Sequence, residues 1–131
     1  MLEQKVLDWL KLALIPEIGP VRGRRLMEKI GQPGRILTAS QKEIALVLGS
    51  WLAQAIDQQR KRIDLDRQLH LIEKYQVRII TQDDSAYPRN LRNIFDPPLV
   101  LFIRGDILPQ DDFSIAIVGT RMAITAIWTS K

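Results

Sequence analysis

Two short stretches of the chain carry residue types whose spacing could do chemistry. The first is Ile15-Pro16-Glu17-Ile18-Gly19-Pro20, followed by Arg22, Arg25 and Lys29. A glycine turn that opens into a helix leaves amide N–H groups at the positive end of the helix dipole, and these favour an anion. At 100° per residue, Arg22, Arg25 and Lys29 fall within about 60° of one another, a basic stripe beside the apolar Leu26 and Ile30. Such a stripe can hold backbone phosphates without reading a base sequence. Against this, Glu17 sets a carboxylate beside the turn, and Pro20 removes one amide donor. A helical hairpin that packs or binds protein accounts for the same residues.

The second stretch is Gly119-Thr120-Arg121, placed directly after the apolar run Ser114–Val118. In open parallel α/β sheets, ligands gather at the carboxyl ends of the strands. Glycine there lets the backbone approach a phosphate, a hydroxyl can donate to it, and arginine can clamp it bidentately. A surface arginine after a strand is the plainer reading of the motif taken alone. A third basic run, Arg60-Lys61-Arg62, reads as the solvated face of a helix.

The elements that must position these residues follow from periodicity. Leu2, Val6, Trp9, Leu10, Ala13 and Leu14 predict an amphipathic helix over 2–14, ended by Pro16. A second helix is predicted from about Pro20 to Ile30, with Gly31 after its end. Ser40 and Glu43 have capping-box spacing, and that helix stops at Gly49. Ser50 is read as the cap of further helical density reaching about Tyr75, with a break near Asp64–Asp66. Trp9 and Trp51 lie on apolar helical faces and are read as core. Character changes after Tyr75. Val77–Thr81 predicts a strand, Asp83-Asp84-Ser85 a turn, and Tyr87-Pro88 a brief helix through Ile94. Asp96-Pro97-Pro98 forces extended backbone into a strand at Leu99–Ile103. The near-continuous apolar run at 114–118 suits a parallel-sheet strand covered on both faces.

Composition narrows the function classes. The chain has 131 residues, 46% hydrophobic and 26% charged, which excludes extended disorder and a fibrous fold. With no cysteine and one histidine, His70, it has no thiolate nucleophile, no sulfur-bound zinc and no histidine cluster. No apolar run approaches the roughly 18 residues of a membrane span, and charges at Glu3, Lys5 and Asp8 argue against a signal peptide. A soluble, cytoplasmic protein is expected. The net charge of +4 is unevenly placed: residues 1–78 hold fourteen basic and nine acidic side chains, residues 79–131 five and six. A positive field speeds encounter with polyanions without identifying them.

The turn Ile15–Pro20 with Leu26 beyond it resembles the helix-hairpin-helix motif, whose turn amides face a nucleic-acid phosphate; Glu17 stands where that motif usually has its first glycine. A longer pattern is more specific. Tyr87-Pro88, Leu91, Ile94, Asp96-Pro97-Pro98, Leu101 and Gly105, then Ala116-Ile117-Val118-Gly119-Thr120-Arg121, resemble the DNA-processing protein A (DprA/Smf) family. The resemblance spans about residues 8–121. It implies an α/β architecture: a helix-hairpin-helix, SAM-like helical domain over 1–76, then an extended Rossmann-like domain begun over 77–131. It implies single-stranded DNA binding, protection of incoming strands in natural transformation, and loading of a RecA-type recombinase. By resemblance, Gly119, Thr120 and Arg121 hold a DNA phosphate, while Tyr87, Asp96, Pro97 and Pro98 shape the entry to the sheet.

Neither catalytic residues nor a metal or cofactor is expected, and homo-oligomers stay open. After Arg121 the sequence Met122–Lys131 departs from the family pattern. A doubly wound domain needs on the order of 100 further residues, so the expectation is a truncated or frame-shifted product, weak or inactive on DNA. The alternative is a helical protein-interaction module without DNA binding. An enzyme on this fold is the least favoured reading, for want of any catalytic group.

Overall fold

The computed structural model describes residues 2–104 and 127–129. The chain divides into two compact units, Met1–Ile63 and Asp64–Lys131. The described residues are mostly helical, with one small sheet.

The first unit holds α1 (Gln4–Ala13), α2 (Gly19–Lys29), α3 (Pro33–Thr38), α4 (Gln41–Leu48) and α5 (Ser50–Arg60). The apolar stripe of α1 buries Trp9, Leu10 and Leu12, and the helix packs on α3. Leu26 of α2, Ile44 of α4 and Ile56 of α5 are each almost fully buried, as the period of their sequence spacing requires, and Ile36 of α3 is buried with them. The capping box forms: Glu43 N donates to Ser40 Oγ at 3.1 Å, and Ser40 N donates to Glu43 Oε1 at 3.4 Å. Two details differ from expectation. Ser50 is the first residue of α5 rather than its cap, a role taken by Gly49 at φ +93°, with no side-chain bond to the helix start. The short helix α3 was not expected, because its six residues hold too few apolar positions to show a period.

The second unit opens with α6 (Leu65–Lys74), where Asp64 accepts from Arg67 N at 3.1 Å. The break expected near Asp64–Asp66 is therefore a helix start, and the unit boundary falls ahead of α6. The helix closes in a Schellman motif: Val77 N donates to Ile72 O at 2.9 Å and Gln76 N to Glu73 O at 3.2 Å. This geometry places Gln76 at φ +52°, where a Cβ is disfavoured. Gln76→Gly is expected to stabilise the second unit by about 0.5–1 kcal/mol, read as slower amide exchange across α6.

Then come β1 (Arg78–Thr81), α7 (Arg89–Arg92), β2 (Val100–Arg104) and β3 (Ile127–Thr129). The strands form a sheet in chain order, β1 antiparallel to β2 and β2 parallel to β3. The register sets Ile80 opposite Leu101 and Arg78 opposite Ile103. Ile80, Leu101 and Ile103 form a core with Tyr87 and Leu91. Val100 and Phe102, on the alternate positions of β2, are buried as well, so that strand is covered on both faces. The helix expected over 88–94 is confined to Arg89–Arg92. The strand expected at 114–118 lies outside the described residues.

Candidate nucleic-acid interface

At the helical hairpin the chain leaves α1 at Leu14 and enters α2 through Gly19, whose φ of +63° is the left-handed conformation the turn requires. No atom lies within 4 Å of where a Cβ at Gly19 would stand, so backbone conformation rather than crowding selects glycine there. The turn is tied to the helix behind it, since Glu17 N donates to Gln59 Oε1 at 3.0 Å. Gln59 is a supporting residue that no pattern around the turn signals, because it lies on α5.

The expected basic stripe is largely engaged within the protein. Arg22 Nη1 donates to Glu17 O at 2.8 Å and lies 3.4 Å from the Glu17 carboxylate. Exposed pairs of this kind contribute little to stability, but the carboxylate offsets the positive charge beside the turn. Arg25 Nη2 donates to Val47 O on α4 at 3.1 Å. Lys29 and Arg25 border a groove of about 550 Å³ between α2 and α4, which they share with Glu28 and Glu43. Arg22, Arg25 and Lys29 thus lie along one helix, Arg22 and Arg25 bonded within the protein and Lys29 at the edge of the groove.

Two sequence readings in the helical unit are corrected. Arg60 is not part of a solvated face: its side chain is 13% exposed and donates through Nη1 to the carbonyls of Ile36, Leu37 and Ala39, the last at 2.6 Å. Its Nε and Nη2 hold Asp57 Oδ1 at 3.0 and 2.5 Å. Lys61 also pairs with Asp57 but stays in solvent, as does Arg62. Arg60 and Lys61 together hold the Asp57 carboxyl below its ordinary pKa, by hydrogen bonds that outweigh the cost of burial. Trp51, read as core, is 72% exposed at the start of α5, whereas Trp9 is buried as expected. The face of α5 that packs carries Ala53 and Ile56, which leaves Trp51 as an aromatic surface able to stack on a base.

In the second unit the proline-bounded loop is held by a polar network. Tyr87 is buried and its hydroxyl donates to Pro98 O at 2.8 Å. Gln82 Nε2 donates to Pro97 O at 2.8 Å and to Pro98 O at 3.1 Å. Arg92 Nη2 donates to Asp84 O at 2.8 Å and to Gln82 O at 3.1 Å, while its guanidinium lies 5.4 Å from the Tyr87 ring centre. Burial pushes the Tyr87 phenol well above its ordinary pKa, with Arg92 opposing more weakly. Prolines at 97 and 98 cannot donate, so their carbonyls are what the loop offers to the interior. Gln82 and Arg92 escaped sequence reasoning because both bond main-chain oxygens across the loop, which leaves no spacing signature.

Gly119, Thr120 and Arg121 lie outside the described residues. Among the described residues no group of acidic or histidine side chains could hold a metal ion, and no helix is long and apolar enough to cross a membrane.

The family model for DNA recombination-mediator protein A matches residues 78–128. The match begins at β1, takes in the Tyr87–Pro98 network and β2, and runs across positions 119–121. No curated protein and no solved structure matches the chain. The segment that carries this loop and sheet is thus similar to the DNA recombination-mediator protein A family.

Proposed function

We propose that this chain binds single-stranded DNA and acts in DNA processing and recombination alongside a RecA-type recombinase, as in natural transformation. The match of residues 78–128 to the recombination-mediator family carries this reading. In it, Gly119, Thr120 and Arg121 contact a DNA phosphate: the glycine admits the backbone, the hydroxyl donates, and the guanidinium pairs with two oxygens. The positive charge of residues 1–78 supplies a sequence-independent attraction. Trp51 supplies the exposed ring that stacking on unpaired bases needs. Gly19, Arg22, Arg25 and Lys29 are the secondary contacts of the helical hairpin. There a phosphate must displace Glu17 from Arg22, which makes the hairpin a weak phosphate site by itself.

Titration of a fluorescent oligothymidylate at two salt concentrations tests the proposal. Affinity is expected to fall with salt, and Arg121→Ala to weaken binding about tenfold, the equivalent of one charge-assisted pair. The combined change of Arg22, Arg25 and Lys29 to alanine is expected to flatten the salt dependence. Absence of binding at low salt, or binding indifferent to both variants, rejects the proposal.

The second reading, a helical protein-interaction module, is favoured by one observation. Arg22 and Arg25 are bonded within the unit, while Leu46, which borders the same groove as Arg25, is 83% exposed.

A further inference from the structure

We propose that Glu17 is a residue by which this chain tells single-stranded from duplex DNA: its carboxylate occupies Arg22 at the helical hairpin and so denies that guanidinium to a duplex backbone. The proposal rests on the DNA-binding reading and adds to it the choice between the two forms of DNA. Helix α2 carries Arg22, Arg24, Arg25 and Lys29 against Glu28 alone, the largest excess of positive charge on any described helix. A helix so charged attracts any polyanion, whether of one strand or two. Glu17 stands at its approach.

Both main-chain groups of Glu17 are held. Its N–H donates to Gln59 Oε1 at 3.0 Å, and its carbonyl accepts from Arg22 Nη1 at 2.8 Å. The backbone therefore fixes where the side chain starts, and Glu17 Oε2 lies 3.4 Å from the same Arg22 nitrogen. The Arg22 and Glu17 side chains are 42% and 33% exposed, so a phosphate reaches Arg22 only by taking the place of the carboxylate. Such a pair adds little to stability. Its effect on a ligand is larger, because a second anion at this guanidinium meets the repulsion of the first. A duplex is stiff and carries one phosphate charge per roughly 1.7 Å of its axis. Laid along α2, it brings phosphates to the carboxylate whatever its sequence. A single strand bends and sets its phosphates elsewhere on the unit, so the penalty falls mainly on the duplex. Selectivity of this kind comes from weakening the wrong ligand rather than tightening the right one.

Anisotropy titrations of the full chain against a fluorescent mixed-sequence duplex and a fluorescent oligothymidylate test this. Glu17→Gln keeps the shape of the side chain and removes its charge. It is expected to raise duplex affinity about tenfold and oligothymidylate affinity only about twofold, the larger figure being roughly the worth of one close charge pair. The freed cation is expected to steepen the salt dependence of duplex binding by roughly 0.9 in the log–log slope, which a purely structural change would leave alone. Arg22→Ala added to Glu17→Gln is expected to cancel the gain, and Glu17→Asp, which keeps the charge, to show little of it. An unchanged duplex affinity in Glu17→Gln overturns the proposal. So does a gain equal for both ligands, or one that survives Arg22→Ala. A wild type without affinity for oligothymidylate at low salt rejects the DNA-binding reading and the proposal with it, a failure distinct from those three.

Discussion

Replacing Arg60 by alanine should destabilise the helical unit by about 3 kcal/mol, the largest effect expected of any single surface-charge change in this chain. The guanidinium serves two separate purposes. Through Nη1 it satisfies the carbonyls of Ile36, Leu37 and Ala39 where α3 ends, groups that no further helical turn can satisfy. Through Nε and Nη2 it holds Asp57 in a fork. Alanine leaves Asp57 with Lys61 alone and takes the side-chain donor from the carbonyls at the end of α3. Lysine should recover less than half of the loss, because a single ammonium cannot face both directions at once. Urea unfolding followed by circular dichroism measures the difference. A loss below 1 kcal/mol for Arg60→Ala would return this residue to the solvated face that its sequence suggests.

The same pair makes the unit sensitive to acid. Asp57 ionises below its ordinary pKa in the folded state, chiefly because Arg60 bonds the charged form. Its contribution is therefore complete above the unfolded value, near 3.8, and is lost as pH falls through the lower folded value. An Asp57→Asn variant should be less stable at neutral pH and should lose less on acidification.

Tyr87→Ala should cost the second unit about 3–5 kcal/mol, and Tyr87→Phe about 1–2 kcal/mol. The two variants divide the role of the side chain. The ring fills the core between Ile80, Leu91, Leu101 and Ile103, and alanine leaves a cavity there. The hydroxyl donates to Pro98 O inside the protein, and phenylalanine leaves that carbonyl with Gln82 alone. Amide exchange over 78–81 and 99–104 reads the loss locally, apart from the helical unit. If Tyr87→Phe keeps the wild-type protection, the hydroxyl contributes nothing and the network is incidental. Because burial raises the folded pKa of this phenol, its contribution is complete below the unfolded value of 10.0 and declines as pH rises beyond it.

How much of this was legible in the sequence differs between residues for physical reasons. The capping box at Ser40 and Glu43 was readable because both partners lie within one helical turn. The strand pair β1 and β2 was readable from β-branched and apolar runs bounded by turn residues. Gly19 was readable too, since a glycine between a proline-ended helix and a proline-started one has little to do but turn the chain. Trp51 was misread because one helical face can be apolar at more positions than the core has room to cover. Arg60 was misread because a charge run looks alike whether its side chains meet water or the end of another helix.

What the sequence determined by itself was whatever depends on near neighbours along the chain: the helix and strand positions, the caps, the uneven charge, and the pattern that marks the recombination-mediator family. The tertiary structure alone decided which charged and polar side chains are spent inside the protein. Arg60 reaches back 21 residues to Ala39, Gln59 reaches 42 to Glu17, and Gln82 reaches 15 to Pro97. Each closes a contact whose partner is a main-chain group, and main-chain groups are the same at every residue. Sequence carries no record of which one a side chain will find, and only the packing of the helices and strands supplies it.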